Sequence, residues 1–339
     1  MYQFHMRPLI AMSVQTTSTQ PRRRKPRSLR RWQRQLRAVV LLGALLSTLL
    51  MVFRSRVPDF MGLSLVVDNS APWLGLTAPV LVLAALITKS RSAIAFALAP
   101  GLVWLALFGA SIVPLSWTAP KASAHTLTVG SQNIKAGTGA AVESARELAR
   151  GGSDVIALQE LDAGSGQDVT AALHADYPHH YVVGTVGVWS KYPLSQSQPL
   201  DLGLGWKRAL TTQVDTGSGS IRLYAVHAAS ARPNDHQNRD EMLAQLAATL
   251  RGDASSAVIA VGDFNATSSD RSFSALTETM DEPNQDEGMF GFTWPREPFG
   301  FMRLDHVLQR GLEVTSNTVV PAGESDHLAV RATVNLPGS

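Results

Sequence analysis

Residues suited to phosphate and hard-cation chemistry recur beside short apolar runs in the last two-thirds of the chain. Gln159-Glu160 follows Val155-Ile156-Ala157-Leu158, Gly262-Asp263-Phe264-Asn265 follows the run 257–261, and Ser325-Asp326-His327 precedes a last apolar run. Carboxylates hold hard divalent cations, and amides and imidazoles donate to phosphate oxygens. Glu160 comes directly after four apolar residues, so its carboxylate is partly shielded and needs a partner. A metal ion is one such partner and an ordinary strand-end salt bridge is the other. In extended backbone Asp263 and Asn265 face one way and Phe264 the other. Phe264 then enters the core, while Asp263 holds a cation or a nucleophilic water and Asn265 donates to phosphate. The alternative is an Asx turn leading into Ala266-Thr267-Ser268. Asp326 sets a hard oxygen beside His327, whose imidazole is a general base or a charged donor to a phosphoryl oxygen. Asp305 is placed to accept from His327 and fix its tautomer, and His306, one residue on, then points away. His227 ends the run Tyr224-Ala225-Val226 and either reaches the same rim or is structural. Asn133 is a rim residue or a turn former.

These side chains need a β scaffold with strand ends on one rim. The pattern predicts strands at 126–130, 155–158, 181–183, 187–189, 257–261, 304–309 and 329–335. A hairpin joins 208–215 to 221–227. Helices are expected at 140–150, stopped by Gly151-Gly152, at 169–175, at 237–250 and briefly at 270–276. A polar loop is expected from about 281 to 300. Hairpins among the alternating elements argue against a purely parallel sheet, and two packed mixed sheets with helices outside fit better.

The net charge of +3 averages two opposite parts of the 339 residues. Residues 1–120 hold 14 Lys/Arg and 2 Asp/Glu, whereas residues 121–339 hold 16 and 25, a balance of −9. The acidic part speaks against tight non-specific binding of duplex DNA, although a bound cation offsets some of that charge. With no cysteine, disulfides, thiolate zinc sites and cysteine nucleophiles are excluded. Residues 22–37 carry nine Lys/Arg just before an apolar stretch, which reads as a cytoplasmic flank more readily than as a nucleic-acid patch. Uncharged stretches follow at 38–53, 69–88 and 92–120, the last with its span within 93–113, and Lys89-Ser90-Arg91 makes a basic turn. The charge bias implies a cytoplasmic N-terminus and three transmembrane helices, with everything after about Pro114 outside the cytoplasm. No Asp, Glu, Lys, Arg or His lies inside these spans, so they read as an anchor and not as an ion pathway. The expected organisation is a basic cytoplasmic tail at 1–37, a membrane anchor at 38–113, a linker at 114–125 and a catalytic domain at 126–339. Ala122-Ser123-Ala124 has the form of a cleavage site, so release of the outer domain is an open alternative.

Gly130-Ser131-Gln132-Asn133, Asp154 to Glu160, Gly187 to Leu194, Val226-His227, Gly262-Asp263-Phe264-Asn265, Leu304-Asp305-His306-Val307 and Ser325-Asp326-His327 occur in this order. Together they resemble the endonuclease/exonuclease/phosphatase family with its DNase I-like fold. The resemblance implies an α/β four-layer sandwich with two central mixed β-sheets. It makes Glu160 the principal Mg²⁺ ligand, with Asn133 beside it and Asp326 completing the metal region; Mn²⁺ or Ca²⁺ are alternatives. It gives Asp263 the attacking water, Asn265 the phosphoryl group, and His327, oriented by Asp305, the scissile phosphate. His227 becomes a phosphate ligand or leaving-group acid. Two positions depart from the pattern. Gln132 stands where an aromatic is frequent, and Lys191 replaces an arginine and loses its bidentate fork. The implied activity is an outward-facing, metal-dependent phosphodiesterase or nuclease using water attack. A phospholipid phosphodiesterase, a phosphatase of the same family and a non-catalytic binding module are the alternatives. The expected partners are a phosphodiester or phosphomonoester substrate, from nucleic acid or a phospholipid headgroup, and the lipid bilayer; no protein partner is expected.

Overall fold

The computed structural model describes residues 27–336. The basic tail before residue 27 lies outside the described residues. Helices α1 (Arg27–Phe53), α2 (Leu63–Ser70), α3 (Thr77–Thr88) and α4 (Arg91–Phe108) come first. Three helical stretches, Arg30–Arg56, Leu63–Thr88 and Arg91–Phe108, are long and apolar enough to cross a membrane. They pack through small residues, with Val40, Ala85, Ala93 and Ala97 buried between them. A Cβ on Gly43 would meet Leu81 at 3.0 Å, so glycine lets α1 approach α3 closely. The second stretch is not one helix. Pro72 removes a backbone donor, and residues Ala71–Leu76 tighten into a 3₁₀ turn between α2 and α3.

The strands are β1 (Thr126–Asn133), β2 (Val155–Gln159), β3 (His179–Val183), β4 (Val186–Ser190), β5 (Leu194–Leu200), β6 (Ala209–Asp215), β7 (Ser220–His227), β8 (Val258–Asp263), β9 (Asp305–Arg310), β10 (Glu313–Val320) and β11 (Ala329–Asn335). They form two mixed sheets, β10-β11-β1-β2-β4-β3 and β5-β6-β7-β8-β9. The sheets face each other across Val129, Val155, Ala157 and Val188 on one side and Leu223, Ala225, Ile259 and Val261 on the other. The run 155–158 is apolar throughout because both of its faces are covered. Ile156 and Leu158 pack outward under α5 (Ala141–Arg150) and α6 (Ser165–Leu173). The outer face of the second sheet is covered by α7 (Gln237–Gly252) and α8 (Ser274–Thr277). The result is the expected two-sheet sandwich between helices.

Two strands escape the sequence pattern. β5 and β10 are sheet edges, and both interrupt their apolar residues with polar ones. β5 carries Pro199 and an irregular register between Ser195 and Gln198, as edge strands tolerate. The helix expected at 270–276 shrinks to α8. The loop expected to be polar supplies aromatic rings to the N-terminal helices. Phe292 stacks on Trp73 at 5.2 Å, and Phe290 meets the edges of Trp104 and Phe108 at 6.1 and 5.9 Å. The segment before β1 is also tied down: Leu115 N–H donates to Gln285 O (2.8 Å), and the Asn284 amide donates to Ala110 O (2.8 Å).

Candidate functional site

Sheet register alone lines up three of the residues. β7 runs parallel to β8 with His227 opposite Asp263, and β8 runs antiparallel to β9 with Asp263 opposite Asp305. In the other sheet Asn133 lies opposite Gln159, and Glu160 is the next residue. Asn133 then joins the two sheets at their rim. Its Nδ2 donates to Asp263 Oδ2 (2.9 Å) and Glu160 Oε1 (3.0 Å), and its Oδ1 accepts from Lys135 N–H (3.0 Å). A Cβ on Gly262 would lie 2.0 Å from Val226 O at φ +138, so only glycine lets β8 close on β7 just before Asp263.

Glu160 and Asn265 both take left-handed backbone angles, φ 62 and 47. Such angles are rare outside glycine and occur where the surroundings over-determine them. At Glu160 the turn ends β2, and the carboxylate accepts from Ala136 N–H at 3.0 Å. At Asn265 it corrects the extended-backbone expectation. Asp263 Oδ1 accepts from Asn265 N–H (2.8 Å), which is an Asx turn. The Asn265 amide still stays at the site, donating to Asp263 Oδ2 (3.2 Å) and Ala228 O (3.0 Å). Phe264 enters the core against Phe273 and His306.

His327 Nδ1 is hydrogen-bonded to Asp305 Oδ2 at 2.8 Å. Burial pulls the His327 pKa down, but Asp305 and Asp263 outweigh it and push the imidazole up to about 10. Burial raises the Asp263 carboxyl, with the His327 charge acting against it. His227 moves the other way. Burial, then Arg208 and His327, hold it well below the ordinary value, so the ring is neutral near pH 7. A neutral His227 suits a hydrogen-bonding role and not that of a charged leaving-group acid. His306 faces away from the cleft, with Nδ1 on Glu282 (2.6 Å) and Nε2 on Ala266 O (2.8 Å).

Side-chain hydrogen bonds hold the loop that carries His327. Gln132 donates to Ala322 O (2.6 Å) and His327 O (3.0 Å), which gives this amide work where the family frequently has an aromatic. Ser325 Oγ donates to Asn133 O (2.5 Å) and accepts from His327 N–H (3.0 Å). Asp326 turns toward solvent, 39 % exposed, and faces Lys135 at 3.5 Å. Lys191 pairs with Asp154 at 3.0 Å, beyond the start of β2 and at the opposite end of that strand from Glu160. Its missing fork therefore does not bear on the site.

Arg208 is a site residue that the sequence reading missed. Its Nε donates to His227 O (3.1 Å), its Nη2 lies against the His227 ring, and it stacks over Trp206 at 4.5 Å. Hairpin register held the signal, because Ala209 pairs with Val226 and so puts position 208 beside 227. Trp294, with its ring 6.5 Å from that of His327, was also missed.

Asp263, Asp305 and His327 offer ligand atoms within 4.8 Å of one another, a cluster able to hold a metal ion. This is a different trio from Asn133, Glu160 and Asp326. The donor chemistry fits a hard divalent cation. Asp263 and Asp305 are buried, Asp305 Oδ1 has no hydrogen-bond partner, and Glu160 adds a third carboxylate bordering the same cleft. The charged His327 balances only part of that negative charge and, as an imidazolium, donates instead of ligating, which leaves the carboxylates as the cation's donors.

Sheets, rim and cluster together define a phosphoesterase of the nuclease and phosphatase type. Residues 130–327 match the endonuclease/exonuclease/phosphatase family, and the chain belongs to it. Family membership and the cluster support a metal-dependent phosphoesterase or nuclease mechanism. No match is found among curated proteins. Among solved structures, humanized D. rerio TDP2 is 20% identical, with a TM-score of 0.53 over 62% of this chain and 99% of that one. Sphingomyelinase C from Streptomyces griseocarneus is 20% identical, with a TM-score of 0.50 over 62% of this chain and 100% of that one. An endonuclease/exonuclease/phosphatase family protein from Bacteroides thetaiotaomicron is 17% identical, with a TM-score of 0.51 over 63% and 96%. At these identities the likeness is one of fold.

Proposed function

We propose that this chain is a membrane-anchored phosphodiesterase whose catalytic domain faces away from the cytoplasm and which cleaves P–O bonds by attack of water. The row His227, Asp263, Asp305, closed by His327, carries the reading. Asp263, raised by burial, is suited to orient a water and accept its proton. His327, held charged by Asp305, is suited to donate to a phosphoryl oxygen as negative charge develops there. Asn265 and His227 hold further oxygens, and Arg208 keeps the His227 ring in place. Glu160, with Asn133 and Asp326, would hold Mg²⁺, or Mn²⁺ or Ca²⁺ in its place. A bound cation supplies electrostatic stabilisation of the phosphoryl and leaving oxygens.

Anchoring is supported by where the charges lie. Arg37 donates to Ser92 at 2.8 Å, so the basic end of α1 and the Lys89–Arg91 turn share one end of the bundle. The sandwich meets the other end, through Trp73, Trp104 and Phe108. From Arg37 to Arg54 the helix rises about 26 Å, close to the thickness of a bilayer core when the end arginines snorkel.

One structural relative was solved with single strand DNA product and another is a sphingomyelinase C, so nucleic acid and lipid phosphodiesters are both candidates here. The test is the full chain in nanodiscs with Mg²⁺, Mn²⁺ or Ca²⁺. The substrates are linear DNA, RNA, sphingomyelin, a phosphoinositide and a bis-aryl phosphodiester. Cation-dependent cleavage of at least one is expected, and a folded protein that cleaves none contradicts the proposal.

A further inference from the structure

The sandwich alone does not wall the cleft that holds these residues. Leu65 and Val66 of α2, with Trp73 just after it, line the same space of about 630 Å³ as Glu160, Asp263 and His327. Phe301 and Met302 line it as well. Polar, charged groups that suit a phosphate therefore sit beside apolar side chains that do not.

The α2 wall is fastened on several sides. Asp68, 1% exposed, pairs with Arg271 Nε at 2.7 Å, and Arg271 also donates to Val57 O and Arg54 O, each at 2.9 Å. Thr267, two residues past Asn265, donates to Asn69 at 2.8 Å. Trp73 donates to Phe301 O at 3.0 Å besides stacking on Phe292. Gly62 approaches Pro233 so closely that a Cβ would lie 1.7 Å from its carbonyl oxygen. A segment between two apolar helices is thus built into the cleft.

The wall also continues into the helices. Val66 is 49% exposed, and Leu76, Val80 and Leu83 prolong an exposed apolar surface along α3. The charges at the cleft point the same way. Arg232 and His327 are set against Glu160, Asp263 and Asp326, and the residues after 120 carry a balance of −9. A polyanion gains little there, whereas a hydrocarbon chain gains by leaving water.

We infer that residues 63–73 form the substrate-selecting wall of this site and that the substrate is a lipid phosphoester. Its phosphate lies by Asp263 and His327, and its hydrocarbon chain runs along Val66, Trp73 and Phe301. The inference rests on the phosphoesterase reading of the same site.

Binding of phosphonates, which have no ester to cleave, separates the two claims. The full chain in nanodiscs with Mg²⁺ is titrated with methylphosphonate and hexylphosphonate. One lipid composition throughout makes partition into the bilayer common to every sample. The parent binds the hexyl compound at least about tenfold tighter, and Val66→Asp or Trp73→Ala brings the ratio to within about twofold, while Val66→Leu keeps it. A parent ratio near one overturns the inference whether or not any ester is hydrolysed. So does a ratio that survives Val66→Asp and Trp73→Ala, failure of both phosphonates to bind, or tighter binding of a dinucleotide than of hexylphosphonate. If Val66→Asp does not fold, the parent ratio and Trp73→Ala decide. Tight hexylphosphonate binding by a protein that cleaves no ester leaves the wall in place and overturns the phosphoesterase reading.

Discussion

His327 and His306 are both buried, yet their surroundings assign them different work. His327 is held by Asp305 beside the cleft, and His306 ties β9 to Glu282 and Ala266. His327→Ala is expected to lower kcat by at least about 100-fold, the scale of a positioned acid–base or phosphate-contact group. His306→Ala should mainly cost stability and leave kcat, per folded molecule, within about threefold of the parent, because the lost bonds are not catalytic ones. Thermal melts supply the folded fraction. Equal loss of kcat in the two folded variants contradicts this division. The Asp305–His327 pair also predicts a pH dependence. The imidazole is raised from 6.5 to about 10 on folding, so its stabilisation is complete below about pH 6.5 and fades as pH rises toward 10. Thermal melts in EDTA should show this loss in the parent, and Asp305→Asn should flatten it. An unchanged alkaline slope in that variant counts against the pair.

At the scale of elements, the loop before β9 is held by a buried charge cluster. Glu282 faces Arg303 at 3.1 Å and His306 at 2.6 Å. Burial pushes the Glu282 carboxyl up, but Arg303 and His306 outweigh it and hold it at about 2. Glu282→Gln leaves the buried Arg303 without its anionic partner and takes a carboxylate acceptor from His306, and should cost about 3–5 kcal/mol, measured by urea unfolding at pH 7. The folded value lies below the ordinary 4.5, so the carboxylate stabilises above that pH and the parent should lose its advantage as pH falls toward 2. A gap that stays constant between pH 7 and 3 rules this out. The same elements show why some of the fold was legible in sequence. β2 and β8 are buried on both faces, so they appear as apolar runs that end in Glu160 and Asp263. β5 and β10 lie at sheet edges, where polar residues alternate with the apolar ones, and carry no such run. The Asn265 turn depends on a side-chain bond from Asp263, which periodicity does not register. The Asp68–Arg271 pair spans 203 residues of sequence and leaves no local pattern, so the α2 wall was not foreseen.

In the whole molecule, the helical bundle and the sandwich behave as connected parts of one site. Arg271→Ala removes the partner of the buried Asp68 along with bonds to Val57 and Arg54. It is expected to speed amide exchange across residues 57–76 while exchange in β1, β2 and β8 stays slow. Uniform protection in both proteins would mean that the pair does not hold the segment. Orientation has its own test: a reporter active only in the cytoplasm, fused to the C-terminus, should stay silent, and a bright signal would overturn the topology. Cation dependence of a phosphoesterase built on this rim is read by titrating Mg²⁺ into EDTA-treated parent and Glu160→Gln protein in nanodiscs while following phosphodiester turnover. Parent activity is expected to vanish in EDTA and return with Mg²⁺, and the folded variant to be at least about 100-fold slower at saturating metal. Turnover untouched by EDTA, or a folded Glu160→Gln protein with near-parent turnover, would contradict it.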